Sequence, residues 1–249
     1  MVKRSVVFFS KSLFFVPLLL GLLLLSGCMN IGGNVRGTGE MVTRNIEVAD
    51  FTSIEVGGNF RIIYRQGAEA ALTVVMQENL FTHLDTSVRN GNLRVRSRRG
   101  FDTTSANRPR LYVYTPNLAS VNFSGAVSAS DWDMVQGQNF TIDVSGAASL
   151  DLRVDVTQLD INASGAVNLD LEMDVDRLNM DVSGAARIGL SGAANNININ
   201  GSGAFNLRAG GLHIEGGRVD ISGAANVYLS TLDNVSVNVS GLARVREAE

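Results

Sequence analysis

The sequence predicts an all-β fold, a parallel β-solenoid (β-helix-like) in which coils of about 19 residues turn at Ser-Gly-Ala corners. Three observations favour it: a repeated triplet, apolar residues that alternate on either side of each triplet, and a column of amide and carboxyl side chains at one repeat position. Two short strands cannot bury an apolar face alone, whereas stacked copies bury a continuous core. We therefore expect one repetitive domain.

The triplet Ser-Gly-Ala recurs through the second half of the chain at intervals of 18 to 21 residues. Glycine at its centre permits a backbone angle that other residues resist, and alanine leaves room for the coils on either side. An additional triplet at Ser191 predicts a second bend of the same kind. The repeats begin at Ser124, Ser145, Ser164, Ser183, Ser202, Ser222 and Ser240, the last with leucine in third place.

Apolar residues occupy alternate positions around each triplet, as Phe140, Ile142 and Val144 do before Ser145. A period of two is typical of strands with one buried face. The position two before each serine alternates between Asn and Asp and falls on the outward face. We interpret this column as structural, because amides can hydrogen-bond along the stack and the alternation separates the carboxylates. Its members are Asn122, Asp143, Asn162, Asp181, Asn200, Asp220 and Asn238.

The first half of the domain is less regular. Residues 43–115 alternate over short stretches, with turn signals such as Gly57-Gly58 and Asn90-Gly91, and predict strands that lead into the regular coils of residues 116–249. No linker separates the two parts, so residues 43–249 are predicted to form one domain. Helical periodicity is limited to one short turn predicted at residues 78–84.

Residues 1–27 have the pattern of a bacterial lipoprotein signal peptide. Basic residues precede an apolar run over residues 13–25, which is shorter than the roughly 20 residues that span a bilayer. Cys28, the only cysteine, follows Leu-Ser-Gly, which resembles a lipobox, and is the predicted lipidation site. Met29, where a retained lipoprotein would carry aspartate, favours the outer membrane by the usual sorting rule. Residues 28–42 are rich in glycine and predict a flexible tether.

The charge balance argues against nucleic acid as a partner, because 21 basic and 24 acidic side chains leave no large positive field. Basic residues are nevertheless concentrated at Arg94, Arg96, Arg98 and Arg99. Guanidinium groups match phosphate oxygens, so this patch is a candidate site for anionic lipid or lipopolysaccharide phosphates. Pairing with neighbouring acids, or a mobile loop, is the alternative interpretation.

Residues that would carry catalysis or bind a metal do not form recognisable motifs. The single cysteine excludes a disulfide framework, and His83 and His213 lie far apart without an HExxH motif or a nucleophile elbow. We therefore predict no zinc site, no catalytic triad and no cofactor. The alternating acids of residues 170–176 could offer oxygens to calcium, but no Gly-containing calcium loop accompanies them, and a solvated strand is favoured.

A solenoid enzyme acting on carbohydrate is the alternative function. Such an enzyme would use a pair of carboxylates in a groove, and Asp151, Asp155 and Asp170 are the candidates. Their spacing does not single them out. A groove that collects carboxylates from successive coils would favour this alternative over a binding module.

Three features together resemble the bacterial head GIN domain family, catalogued as autotransporter adhesin head domains. They are the segment Phe51-Thr-Ser-Ile-Glu-Val-Gly-Gly-Asn-Phe-Arg-Ile-Ile-Tyr, the segment Asn90-Gly-Asn-Leu-Arg-Val, and the Ser-Gly-Ala coils. The resemblance covers most of residues 43–249 and implies a β-solenoid on a surface or periplasmic lipoprotein, with no catalytic residue to carry over. We therefore expect a lipid-anchored, non-catalytic binding, adhesion-like or structural module of the cell envelope, with envelope glycan, lipopolysaccharide or protein as partner.

Overall fold

The computed structural model describes residues 33–248, and all of these from Asn34 onward belong to one compact unit. The predicted signal peptide (1–27), Cys28 and Met29 lie outside these residues. Within them, no helix has the length and apolar character needed to cross a membrane.

The short 3₁₀ helix Glu78–His83 confirms the predicted turn. The strands are β1 Val35–Arg36, β2 Met41–Ile46, β3 Ser53–Gln66, β4 Ala71–Gln77, β5 Leu84–Arg89, β6 Asn92–Ser97, β7 Phe101–Asp102, β8 Arg110–Thr115, β9 Ser120–Ala129, β10 Val135–Leu229, β11 Val235–Gly241 and β12 Arg244–Glu247.

Ten of these strands form one sheet of mixed orientation, while β1 and β7 form a separate parallel pair. Strands β6, β8 and β9 pair with β3 in parallel, and β9, β11 and β12 pair with β10 in parallel. Antiparallel pairs join β2 to β4, β4 to β8 and β5 to β6. The all-β prediction is confirmed, but a wholly parallel arrangement is not.

The antiparallel pair β5–β6 has a local cause. Asn90 and Gly91 both have positive φ, of 51° and 72°, and form the two-residue connection between the strands. Two-residue turns of this kind join antiparallel strands, whereas a parallel pair needs a much longer crossover. The first half of the domain therefore adds hairpin layers to the parallel pairs.

Ordered strands also occur within the segment predicted as a tether, residues 28–42. The Val35 amide of β1 donates to the Gly100 carbonyl at 2.7 Å, and β2 begins at Met41. The folded unit therefore begins before residue 43. β1 is an ordered strand because it pairs with β7, which lies far along the chain. The local sequence therefore did not indicate this strand.

Glycines at the triplet corners determine how the long strand β10 folds. A straight strand of 95 residues would extend roughly 300 Å, so β10 must bend repeatedly. The glycine of each triplet has φ between 93° and 121°, as the sequence predicted, and Gly192 of the additional triplet has φ 100°. These glycines also pack on one another. A Cβ on Gly146 would lie 2.6 Å from the Gly125 carbonyl oxygen, and one on Gly184 would lie 2.5 Å from that of Gly165.

The core lies between the inward faces of the strands, where side chains alternate with exposed ones along almost the whole of β10. Trp132 fills the core beside β3, with its ring centroid 5.5 Å from that of Tyr64 and 6.3 Å from that of Phe123. Its indole N–H donates to the Ile62 carbonyl at 2.8 Å, so the one buried polar atom of this side chain is satisfied.

Replacing Gly146 with alanine is expected to destabilise the domain. The new Cβ would meet the main chain of Gly125, and the φ of 121° is one that L side chains rarely adopt. Backbone strain alone costs about 1–3 kcal/mol, and the steric clash adds to it. Thermal unfolding followed by circular dichroism measures the effect as a fall in Tm.

The matched control is Gly137→Ala in the same strand, because a Cβ on Gly137 meets no atom within 4 Å. This variant should unfold close to the wild-type temperature. If both alanine variants had the wild-type Tm, packing between the corner glycines would not be a stabilising constraint.

Candidate functional site

One outward face of the sheet carries polar side chains in a continuous column from β6 to β11. Glu55 on β3 pairs with Arg94 on β6 and with Asn122 on β9. Asn122 pairs in turn with Asp143 on β10, and the Asn/Asp positions continue from there to β11. The column reads Arg94, Glu55, Asn122, Asp143, Asn162, Asp181, Asn200, Asp220 and Asn238.

We call this column, together with the triplet serines beside it, the polar face, and each strand segment that crosses it a rung. A groove of about 840 Å³ runs along the polar face from Asn122 to Ser240. It is lined repeatedly by the Asn/Asp position, the residue after it and the triplet serine. The groove therefore presents amide and carboxyl groups on alternate rungs, with triplet serines beside them.

Hydrogen bonds between neighbouring rungs hold the amide and carboxyl side chains in place. The Asn162 Nδ2 group donates to Asp143 Oδ1 at 2.8 Å, and Asn200 donates to Asp181 at 2.9 Å. The corresponding bond from Asn238 to Asp220 is 2.8 Å. The predicted outward column and its axial amide hydrogen bonds are confirmed. The column also lines the groove, which the sequence did not indicate.

Glu55 binds the two arginines at the β6 end of the polar face. Both Arg94 and Arg96 form ion pairs with its carboxylate, and Arg94 Nε lies 3.5 Å from Oε1. The hydrogen bond from Arg96 is the main cause that lowers the pKa of Glu55. Burial opposes this effect, while the charges of both arginines and a hydrogen bond from Asn92 support it. The carboxylate therefore stays ionised and orients both guanidinium groups.

The structure divides the four arginines predicted to bind anions. Arg94 and Arg96 lie on the polar face. Arg98 lies beyond β6 and pairs with Asp85 at 3.7 Å, while Arg99 is exposed and makes no salt bridge with any residue from 33 to 248. Three of the four thus have an acidic neighbour, and their role in binding anions stays a prediction.

The carboxylates that line the groove belong to alternate rungs, at Asp143, Asp181 and Asp220. At the spacing of parallel strands, successive carboxylates lie roughly 10 Å apart. This is about twice the separation in retaining glycosidases and at the upper limit for inverting ones. Hydrogen bonds from Arg218 and then Asn238 lower the pKa of Asp220, whereas a general acid needs a raised pKa.

The carboxylates considered from the sequence for carbohydrate cleavage lie elsewhere. Asp151, Asp155 and Asp170 are exposed, and none lines the groove. Asp155 accepts a hydrogen bond from Gln136 at 3.2 Å, which is a surface contact between repeats. The groove carboxylates are too far apart for a retaining pair and only reach the upper limit for an inverting pair, so the geometry does not favour the enzyme alternative.

The remaining candidate ligands are dispersed. His83 ends the 3₁₀ helix, and His213 is exposed beside a smaller cavity of about 450 Å³ that Glu215 and Asp233 also line. The acids of residues 170–176 alternate on an exposed strand face. Across residues 33–248, no three His, Cys, Asp or Glu side chains are grouped in a way that would hold a metal ion.

The sequence alone did not identify Glu55 as part of the polar face, and it did not indicate that the triplet serines line a groove. The missing step was the register of β3, which aligns residues 54–58 with residues 121–125. Both segments read apolar, polar, apolar, small and glycine, so a search for degenerate copies of the repeat would have found the first one. The β6 rung has no glycine at the equivalent corner, and only its pairing with β3 identifies it.

Several solved structures share this fold. A "putative adhesin" from Parabacteroides merdae ATCC 43184 is 21% identical, with a TM-score of 0.72, and the alignment covers 87% of this chain and 99% of that one. A "putative lipid binding protein" from Parabacteroides distasonis ATCC 8503 is 18% identical, with a TM-score of 0.73 and coverage of 87% and 100%. A "putative adhesin" from Bacteroides fragilis NCTC 9343 is 16% identical, with a TM-score of 0.71 and coverage of 86% and 100%.

At these identities the structural similarity establishes the fold alone. No curated protein matches the sequence significantly. Two segments of the chain, residues 50–169 and 158–247, match one family, and together they span most of the chain. They include the motifs at residues 51–64 and 90–95 and all the Ser-Gly-Ala triplets, which confirms the resemblance drawn from the sequence. The chain therefore belongs to the family described as "Putative auto-transporter adhesin, head GIN domain".

Proposed function

We propose that this protein is a lipid-anchored, non-catalytic binding module of the bacterial cell envelope, and that the polar face is its recognition surface. The groove along that face carries the proposal, because it repeats one alternating pattern of amide, carboxyl and hydroxyl groups over seven rungs. Its amides and carboxylates are already bound to one another and so lose little conformational entropy when a ligand binds. The names of the similar structures, adhesin and lipid binding protein, are compatible with a binding role.

The proposal includes a parallel solenoid with coils of about 19 residues from β9 onward. Parallel pairing of β9 and β11 with β10 supports it at both ends of the repeat region. Between them, side-chain bonds such as Asn162 to Asp143 and Asn179 to Asp160 join residues 19 positions apart. The packing of each corner glycine on the preceding one supports the same register. A solenoid extends one binding geometry along its axis.

In this proposal, lipid attached to Cys28 holds the protein at a membrane of the cell envelope. The sequence before it has the order of a lipoprotein signal, and Met29 favours the outer membrane. Because β1 begins at Val35, only a short segment would separate the acyl group from the folded unit. The partner would then be a component of the envelope: a glycan, lipopolysaccharide or another protein.

Radiolabelled palmitate supplied to expressing cells is expected to enter the wild-type protein and to be absent from a Cys28→Ser variant. The reason is that Cys28 is the only thiol and stands at the lipobox position. A Cys28→Ser/Asn30→Cys double variant keeps one cysteine but moves it from that position, and it should also remain unlabelled. Label in the Cys28→Ser protein would contradict the anchor, and label in the double variant would contradict the lipobox assignment.

A Ser183→Tyr substitution is expected to abolish ligand binding, because the new ring would occupy the groove at a central rung. The matched control is Ser149→Tyr, at an exposed position that does not line the groove. Binding is measured on an array of envelope polysaccharides, lipopolysaccharide and purified envelope proteins. Loss with Ser183→Tyr and retention with Ser149→Tyr supports the proposal. Equal binding by both variants, or no binding by the wild type, contradicts it.

The same array, run at low and high salt, tests whether the four arginines bind phosphate groups. If Arg94, Arg96, Arg98 and Arg99 bind phosphates, lipopolysaccharide binding should fall as salt rises and disappear when all four are changed to glutamine. Salt-independent binding, or binding that survives the four substitutions, would mean that these arginines serve only their ion pairs with Glu55 and Asp85.

A further inference from the structure

The atoms that the polar face offers to a ligand are mainly hydrogen-bond acceptors. Asp143 and Asp181 each use Oδ1 to accept from the asparagine of the next rung, which leaves Oδ2 without a donor among residues 33–248. Each of those bonds also uses one amide N–H of the asparagine. The hydroxyls of Ser164 and Ser222 donate to main-chain carbonyls, both at 3.4 Å, so that each oxygen keeps its lone pairs for accepting a hydrogen bond. A ligand that fits this surface must supply donors.

The spacing of the rungs restricts the shape of that ligand. Neighbouring parallel strands lie about 4.8 Å apart, so the seven rungs that line the groove span roughly 29 Å, and an occupant that fills the groove is an extended polymer. An extended peptide repeats its side-chain direction only every 6.6 Å or so, and would lose register with the rungs after a few residues. A β-1,4-linked pyranose unit is close to one rung in length. Successive units are turned over, so the same amino or hydroxyl donor returns on every second unit, just as the carboxylates return on every second rung. The repeat therefore suits a glycan.

Charge along the groove restricts the type of glycan. The carboxylates of Asp143 and Asp181 stand on alternate rungs, separated by neutral Asn162. A polyanionic chain, including a nucleic acid, would place its charges against these carboxylates. An ammonium group would form a charge-assisted hydrogen bond with the free Oδ2 atoms, which is stronger than a bond between neutral groups. Neutral sugars would bind more weakly than amino sugars.

We propose that the polar face binds a linear glycan that contains amino sugars, laid lengthwise across the rungs with its amino and hydroxyl groups on the Asn/Asp and serine columns. This inference rests on the proposed function and adds the chemical class and direction of the ligand. Arginines lie at both ends of the polar face. Arg94 and Arg96 share the single carboxylate of Glu55, and Arg218 pairs with Oδ2 of Asp220. The bound cationic stretch therefore lies between them, over the rungs of Asp143 and Asp181.

The test uses the full chain, purified in detergent, and isothermal titration with glucosamine oligomers of β-1,4 linkage. Affinity should rise with oligomer length until the groove is filled. Glucose oligomers of the same linkage should bind more weakly, and galacturonate oligomers should not bind. An oligolysine of similar length and charge should bind less well than the glucosamine oligomer, because its repeat does not match the rungs.

An Asp181→Asn variant removes one groove carboxylate but keeps an oxygen to accept from Asn200, so the rung is preserved. The affinity for glucosamine oligomers should fall roughly tenfold, as for loss of one charge-assisted hydrogen bond. The control is Asp174→Asn, which makes the same change in an acid-rich, exposed stretch outside the groove. Its affinity should stay within about twofold of the wild type.

Three results would overturn the inference: galacturonate binding as tight as glucosamine, oligolysine binding as tight as the sugar, or equal weakening by Asp174→Asn and Asp181→Asn. Each would indicate either a different ligand or charge attraction without recognition. Failure here is distinct from failure of the proposed function. If no glucosamine oligomer binds but Ser183→Tyr still abolishes binding of another array component, the recognition surface stands and only the ligand class is wrong.

Discussion

The close contact between successive corner glycines is the constraint on which the rest of the repeat region depends. Gly146 lies against Gly125 and Gly184 against Gly165, with no room for a Cβ between them. Their positive φ turns the chain at the same point in every repeat. Because a slip of one residue would turn every buried side chain outward, this fixed corner also preserves the alternation of the core.

The polar face follows from the same constraint. When the corner is fixed, the residue two places before each triplet serine always faces outward at the same height on its rung. Asparagine and aspartate then meet from neighbouring repeats and bond to each other, as Asn200 does to Asp181. Hydrogen bonding that stabilises the stack thus also arranges the groups that a ligand would meet. The side chains that stabilise the stack are the ones proposed to bind a ligand, so a structural role for the column does not argue against a binding role.

Much of the repeat region could be predicted from the sequence, because its determinants are local. The Ser-Gly-Ala spacing, the alternation of apolar residues and the Asn/Asp column each lie within one repeat, and the strands, bends and outward column follow from them. The first half depends on long-range pairing. Order at Val35 needs Gly100, and the place of Arg94 on the polar face needs Glu55, which lies far away in the sequence.

The candidate site was only partly predictable for the same reason. Arg94 and Arg96 stand out as a basic cluster, but the sequence does not show that β6 stacks beneath β3 and continues the Asn/Asp column. The groove is a property of the stacked rungs and has no local motif. Side chains that read as separate features, one basic and one amide-rich, belong to a single face once the register is known.

The register of the repeats determines the polar face, and a disulfide between neighbouring rungs tests that register most directly. In a Cys28→Ser background, cysteines at positions 162 and 181 would replace residues on adjacent rungs, whose Cα atoms should lie about 4.8 Å apart, within the range a disulfide bridges. We expect rapid oxidation of this pair in the folded protein, with both thiols consumed and Tm raised. A pair at positions 162 and 174, outside the shared face, should remain reduced. If the 162/181 pair stays reduced, or oxidises only after unfolding, the column is not continuous and the polar face does not exist as described.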